Sequence, residues 1–177
     1  RSLRGFRLLS ASPWIMVVNT DDETMKRGEA AVVAPVLERL AEPRPSVIAL
    51  SAQTEAELAA LSDDDAREFM QVLGIQEPGL TRMIRLSYEA LGLLSFFTVG
   101  PDEVRAWTVR DGALAPEAAG AIHSDLERGF IRAEVIGSED LLACGALAEA
   151  RRRGLLRREG KGYPVRHGDV INVLFSV

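Results

Sequence analysis

Phe96-Phe97-Thr98-Val99-Gly100-Pro101-Asp102-Glu103-Val104-Arg105-Ala106-Trp107-Thr108-Val109 reads as two strands around a turn. Leu94 to Val99 and Val104 to Val109 are rich in β-branched and aromatic residues, and Gly100-Pro101-Asp102 between them is turn chemistry. Toward the carboxyl end, Ala115 to Arg128 predicts a helix opened by Pro116, Phe130 to Ile136 a strand, and Ser138 to Arg153 a further helix. Tyr163 to Val177 predicts one or two closing strands that turn at His167-Gly168-Asp169. That order predicts a mostly antiparallel sheet packed on a helix, an α+β arrangement. Phe96, Phe97 and Trp107 alternate with polar neighbours, so they are expected in a core rather than as platforms for stacked bases.

Toward the amino end the period changes. Trp14-Ile15-Met16-Val17-Val18 is a short unbroken apolar run, the pattern of a strand buried on both faces. Asn19-Thr20-Asp21-Asp22-Glu23 follows, and Ala30 to Leu40 predicts a helix, with a kink or a late start at Pro35. Pro43-Arg44-Pro45 ends it, and Val47-Ile48-Ala49-Leu50 predicts a second buried strand. Strand, helix and strand with short connections predict a βαβ unit and a parallel sheet. Thr54 to Gly92 then reads as helical, with a start at Ser62-Asp63-Asp64-Asp65, a stop at Gly74 and a further helix from near Pro78. The change of class places a boundary near residues 92 to 94, giving expected domains of 1–93 and 94–177.

The 177 residues, 47% hydrophobic and 27% charged, suit one large or two small cores. No apolar run approaches the ~20 residues that span a bilayer, so no membrane partner is expected. The basic start Arg1-Ser2-Leu3-Arg4 has neither a long apolar stretch nor a cleavage site after it, and no initiator Met stands there, so the chain reads as cut from something longer. Cys144 is the lone cysteine, which excludes an internal disulfide and a multi-cysteine zinc site and suits the cytoplasm. A net charge of -5 argues against coating nucleic acid by bulk attraction, while leaving room for a local basic patch.

In an open parallel sheet, ligands bind beyond the carboxyl ends of the strands. Asn19-Thr20-Asp21-Asp22 and Ser51-Ala52-Gln53 stand at those two places. An Asn amide both donates and accepts toward a base edge, a carboxylate accepts paired donors, and main-chain amides of the second loop can meet a base carbonyl or ring nitrogen. The competing reading is that Asn19 and Asp22 cap the next helix and Ser51 merely ends a strand. His123 and His167 lack clustered ligands at metal spacing and read as structural. Arg151-Arg152-Arg153, Arg157, Arg158 and Lys161 form the one concentrated basic run, either a solvated helix end or an RNA-contacting patch.

Three stretches carry a resemblance. The quoted 96–109 segment is similar to the opening of the TGS domain of the YchF family of Obg-like ATPases. Ala-Pro-Glu-Ala-Ala-Gly-Ala-Ile-His-Ser-Asp-Leu-Glu-Arg-Gly-Phe-Ile-Arg-Ala-Glu-Val (115–135) resembles its continuation, and Glu159-Gly-Lys-Gly-Tyr-Pro-Val with Gly168-Asp-Val-Ile-Asn-Val-Leu-Phe resembles its final strands. The likeness runs through nearly the whole chain and is densest from residue 94 onward. It implies the α/β remnant of a P-loop NTPase domain, followed by a β-grasp-like α+β TGS domain that supplies a ligand- or RNA-binding surface.

The resemblance also implies functions for the two loops. Family members carry Asn-x-x-Glu where translational GTPases have Asn-Lys-x-Asp, a difference associated with ATP in place of GTP. The matching positions are Asn19, Thr20, Asp21 and Asp22, so the fourth residue departs to Asp, as in guanine readers, while the Lys of the guanine motif is absent. ATP is favoured over GTP on this reading, with Asn19 and Asp22 at the base edge and Thr20 and Ser51, Ala52 and Gln53 around the base. The nearest string to a phosphate loop, Gly154 to Gly162, is one residue too long, ends in Gly rather than a hydroxyl and follows no strand. The chain is therefore expected to hold no catalytic residue and no metal ligand. ATP or GTP and magnesium are expected in the whole protein, with none bound tightly here, and the ribosome or RNA is the implied partner through Arg151, Arg152, Arg153 and Lys161. The alternative is a non-catalytic ribosome- or RNA-binding module.

Overall fold

The computed structural model describes residues 12–42, 44–100 and 102–176. The chain divides into two compact units, Arg1–Leu91 and Gly92–Val177.

In the first unit, β1 (Ile15–Asn19) and β2 (Ser46–Leu50) pair in parallel from Ile15↔Ser46 to Asn19↔Leu50. A parallel pair needs a crossover, and α1 (Asp22–Met25) and α2 (Glu29–Arg39) supply it. The second helix runs through Pro35 instead of starting at it, because Gly28 at φ 89° turns the chain just before Glu29 and defines the start. Beyond β2 come α3 (Ala52–Ala60), α4 (Asp63–Leu73) and α5 (Gly79–Ala90). Ser62 caps α4 as its sequence requires, accepting from the Asp65 amide at 3.3 Å. Gly74 closes α4 at φ 70°, with the Ile75 amide donating to the Met70 carbonyl at 2.8 Å. The start of α5 is capped from a distance. Both oxygens of Glu55, on α3, accept from its first amides, Gly79 at 2.8 Å and Leu80 at 3.3 Å. Ile48, Ala49 and Leu58 form the buried apolar centre of this unit.

In the second unit, β3 (Leu93–Val99) and β4 (Val104–Arg110) form the hairpin, in register from Leu93↔Arg110 to Val99↔Val104. There follow α6 (Ala115–Ile122), α7 (Ser124–Arg128), β5 (Phe130–Gly137), α8 (Ser138–Cys144), α9 (Leu147–Arg152), β6 (Arg157–Glu159) and β7 (Asp169–Phe175). The strand order is β4-β3-β7-β5-β6, with β3 and β7 parallel and the other neighbours antiparallel. Both faces carry helices. Phe96, Ala133, Val135 and Ile171 pack on one side with Ala115, Ala118 and Ala119 of α6, where Trp107 also sits. On the other side Ile136 and Val170 meet Ala150, Leu141 and Leu147 of α8 and α9. Phe96 is wholly buried and Phe97 half-buried, and the Trp107 indole donates to Thr98 Oγ1 at 2.9 Å, so these aromatics are used inside the fold.

Four local readings change or narrow. The helix expected over 115–128 breaks at His123, whose backbone is extended and whose Nδ1 caps α7 by accepting from the Asp125 amide at 3.2 Å. The helix expected over 138–153 breaks at Gly145, in the left-handed region at φ 74°. The closing segment is one strand, and Tyr163–Val165 instead passes the start of α6, where Ala115 donates to the Tyr163 carbonyl at 2.9 Å and Val165 to the Ala113 carbonyl at 2.9 Å. Finally, Arg157 and Arg158 lie on a short strand beyond Gly154, not on a continued helix end.

Candidate functional site

Because Asn19 is in register with Leu50, the two polar loops of the first unit leave the parallel strands side by side. A main-chain bond from the Thr20 amide to the Leu50 carbonyl, 3.0 Å, carries the pairing one step past the strands. The Asn19 side chain then ties one loop to the other, its Oδ1 accepting from the Ala52 amide at 3.0 Å. The Asn19 amide nitrogen has no partner among the described residues.

Asp22 is the second tie. Its Oδ1 accepts from the Thr54 hydroxyl at 2.5 Å, and that hydroxyl lies 3.0 Å from the Ser51 hydroxyl. The Ser51 and Thr54 hydroxyls together hold the Asp22 carboxyl below the ordinary carboxylate range, so it is an ionised acceptor at neutral pH. Ser51 and Thr54 are buried, while Asn19, Asp22 and Ala52 are exposed. Ser51 does more than end a strand: its hydroxyl accepts from the Thr54 amide at 3.2 Å and caps α3. The cap of α1 is Asp21, not Asn19 or Asp22, for its Oδ1 accepts from the Thr24 amide at 2.7 Å, and the Thr24 side chain and amide hold its carboxyl low.

The structure thus joins Asn19 to Ala52 and Asp22 to Ser51. Thr20 contributes its backbone, and the Gln53 side chain turns away to donate to Glu57 at 3.1 Å along its own helix. Sequence reasoning missed Thr54, Glu29 and Arg82. Thr54 carried a faint signal, a hydroxyl three residues after the Ser51 cap. The other two carried none, because Arg82 is 53 positions from its partner. Glu29 Oε1 accepts from the Ala49 amide at 3.0 Å and from Arg82, and Arg82 donates to the Ala49 carbonyl at 3.3 Å. This pair grips the backbone two residues before Ser51. Asp22, Ser51 and Thr54 also border a cavity of about 650 Å³, with Glu29, Arg82 and Leu73 on other walls.

In the second unit the basic run is threaded with carboxylates. Arg151 meets Glu134 at 3.1 Å, and Arg158 approaches the same carboxylate at 3.7 Å. Arg152 and Arg153 both spend their guanidinium groups on Glu149, at 2.7 and 2.6 Å. Arg157 donates to the Tyr163 hydroxyl at 3.0 Å and lies 3.6 Å from Asp169. Lys161 has no ion pair among the described residues. The two histidines are apart, His123 capping α7 and His167 accepting from the Ser95 amide at 3.3 Å. Among the described residues no group of three His, Cys, Asp or Glu side chains could hold a metal ion, and no helix is long and apolar enough to cross a membrane.

Residues 93–176 match the family model YchF-GTPase_C, described as a protein of unknown function (DUF933). The chain is 46% identical over 176 residues to the ribosome-binding ATPase YchF of Bacillus subtilis (strain 168), covering 99% of this chain and 48% of that protein. It is 42% identical to the protein of the same name from Escherichia coli O157:H7, with the same coverage. It superposes on the Schizosaccharomyces pombe YchF GTPase with a TM-score of 0.80 at 30% identity, covering 97% of this chain and 46% of that one. A GTP binding protein from Pyrococcus horikoshii OT3, at 18% identity and a TM-score of 0.59, shares the fold. The chain spans about half the length of the curated relatives it matches. From end to end, in sequence and in three dimensions, the chain is similar to YchF proteins and aligns with the carboxy-terminal half of those relatives.

Proposed function

We propose that the first unit is the base-reading edge of a P-loop ATPase of the YchF type and that the second is its TGS domain, docking on the ribosome. The observation that carries the first half is the double tie between the loops: Asn19 to the Ala52 amide and Asp22 to Thr54. It leaves an exposed amide nitrogen and an ionised carboxylate pointing from the carboxyl edge of a parallel sheet, a donor and an acceptor suited to a purine edge. Asn19 and Asp22 would read the base, with Thr20, Ala52 and the backbone of Ser51 and Gln53 around it. Bound nucleotide with magnesium supplies the phosphoryl-transfer chemistry in the whole protein. These residues would bind and orient the base. Without a phosphate-binding loop of its own, this chain is expected to be inactive alone.

The ribosome reading rests on the names of the relatives and on the cation-rich end of the second unit, Arg151, Arg152, Arg153 and Lys161. One observation favours the alternative of a non-catalytic binding module. Asn19 Oδ1 and Asp22 Oδ1 are already spent inside the fold, as scaffold groups would be.

The deciding experiment uses a protein that carries both this region and a phosphate-binding loop. Fluorescent ATP and GTP analogues are titrated into it and into the Asn19→Ala and Asp22→Glu variants. The base-edge reading expects micromolar binding, weakened roughly ten-fold or more by Asn19→Ala through loss of a charge-free hydrogen-bond pair, and a shift toward adenine with Asp22→Glu. Binding indifferent to both changes leaves only the module.

A further inference from the structure

The register of the second sheet gathers positive charge on one uncovered area. Arg132 faces Leu174 across the β5–β7 ladder, and Glu134 faces Asn172 and, on its other side, Arg158. Residues two apart on a strand share a face, so Arg132, Glu134 and Ile136 lie in one row. Helices α8 and α9 cover only the Ile136 end of that row, packing on Ile136 and Val170. At the other end Arg132, Arg158, Asn172 and Leu174 are exposed, and Arg151 reaches in from the end of α9.

Glu134 organises this area. Its carboxylate is buried, 7% exposed, and receives Arg151 at 3.1 Å, Asn172 Nδ2 at 3.4 Å and Arg158 at 3.7 Å. One carboxylate thus holds two guanidinium groups whose side chains remain 68% exposed, so most of their donors face solvent. Arg132 adds a third guanidinium with no ion pair among the described residues. The area carries three cations over one buried anion, in a protein whose net charge is -5. Arg152 and Arg153 differ, for both pair with Glu149 of their own helix and not with Glu134.

We propose that this open sheet face, Arg132, Arg151, Arg158 and Asn172 around Glu134, is a binding surface for single-stranded RNA. Arg132 and Arg158 stand diagonally across the β5–β6 ladder, a separation of about 7–8 Å, comparable with that of neighbouring phosphates on one strand. Guanidinium planes also offer stacking surfaces to unpaired bases, and Leu174, facing Arg132 from β7, adds an exposed apolar side chain beside them. Glu134 is a positioning residue that holds the donors ready. The proposal rests on the reading of the second unit as a ribosome-docking domain and replaces the helix end by the sheet face as the surface used.

The test is fluorescence anisotropy of a labelled twelve-nucleotide oligouridylate titrated with the 177-residue chain at several salt concentrations. Arg132→Ala and Arg158→Ala are each expected to weaken binding several-fold to ten-fold and to lower the salt slope by roughly 1, while Arg132→Lys retains most affinity. An Arg152→Ala, Arg153→Ala double variant is the arm that tests the helix end, and it is expected to weaken binding less than either Arg132→Ala or Arg158→Ala. Thermal melts establish that each variant is folded. If the double variant loses binding and Arg132→Ala and Arg158→Ala do not, the sheet face is wrong and an RNA-docking unit survives. If the unchanged chain does not bind the oligonucleotide, or binds poly-glutamate equally well, the proposal is overturned.

Discussion

Asp22 is the residue on which the nucleotide reading turns, and its ionisation can be followed directly. Its carboxyl lies below the ordinary 3.8 because Ser51 and then Thr54 hydrogen-bond the charged form. A lowered carboxyl stabilises the fold above that ordinary value, and the contribution disappears as pH falls through the lower folded value. NMR titration of the Asp22 carboxyl carbon should therefore show a midpoint below 3.8 in the intact chain and a rise toward it in Ser51→Ala and Thr54→Val. Tyr163 shows the opposite sign. Burial, then the bond it donates to Asp169 at 2.8 Å, pushes its phenol up to about 12. The folded value exceeds the unfolded one, so this stabilisation is complete below pH 10 and is lost as pH rises toward 12. Tyr163→Phe should cost about 1.5–3 kcal/mol near neutrality, as loss of a hydrogen bond to a charged group, and should flatten the decline of stability between pH 10 and 12 in urea denaturation. Asn19, Asp22 and Ser51 were legible as polar groups after strands, because that placement follows from chain order. Their partners were not, for the Asp22–Thr54 bond joins residues 32 apart.

At the scale of elements, the first unit depends on side chains that stand in for missing backbone partners. Among the described residues β2 pairs only with β1, and on the Ala49 peptide Glu29 of α2 and Arg82 of α5 supply the acceptor and donor that a further strand would give. Arg82→Ala should cost about 1–3 kcal/mol, because the Ala49 carbonyl and Glu29 lose a shared donor. It should also speed amide exchange along 48–54, measured by hydrogen–deuterium exchange, with β5 and β7 unchanged. Caps built from neighbours were readable in sequence, as at Ser62 and Gly74, since the groups involved lie within one turn. The Glu55 cap on α5 was not, since it comes from 24 residues away. The helices over 115–128 and 138–153 were each read as one because helical spacing persists across His123 and Gly145, where backbone geometry alone breaks them.

At the scale of the whole molecule, the two units differ in how fully they close their cores. The second encloses Phe96, Phe130, Ala133, Val135 and Ile171 between its sheet and α6, whereas among the described residues the first fully buries only Ile48, Ala49 and Leu58 of its apolar side chains. Expressed separately, residues 92–177 should melt cooperatively, and residues 1–91 should unfold at lower urea; circular dichroism against urea concentration measures both. A non-cooperative 92–177 would contradict the closed core described for it. The sequence by itself determined the class of each unit, the parallel strand pair, the hairpin at Gly100 and the family likeness, because these rest on periodicity and on residues near one another in the chain. Only the tertiary structure decided which polar groups meet. It set Asn19 against Ala52, spent Arg152 and Arg153 on Glu149, and left Arg132 and Arg158 on an open face. The physical reason is that burial and hydrogen bonding depend on distances in space, which strand register and helix docking settle and chain order does not.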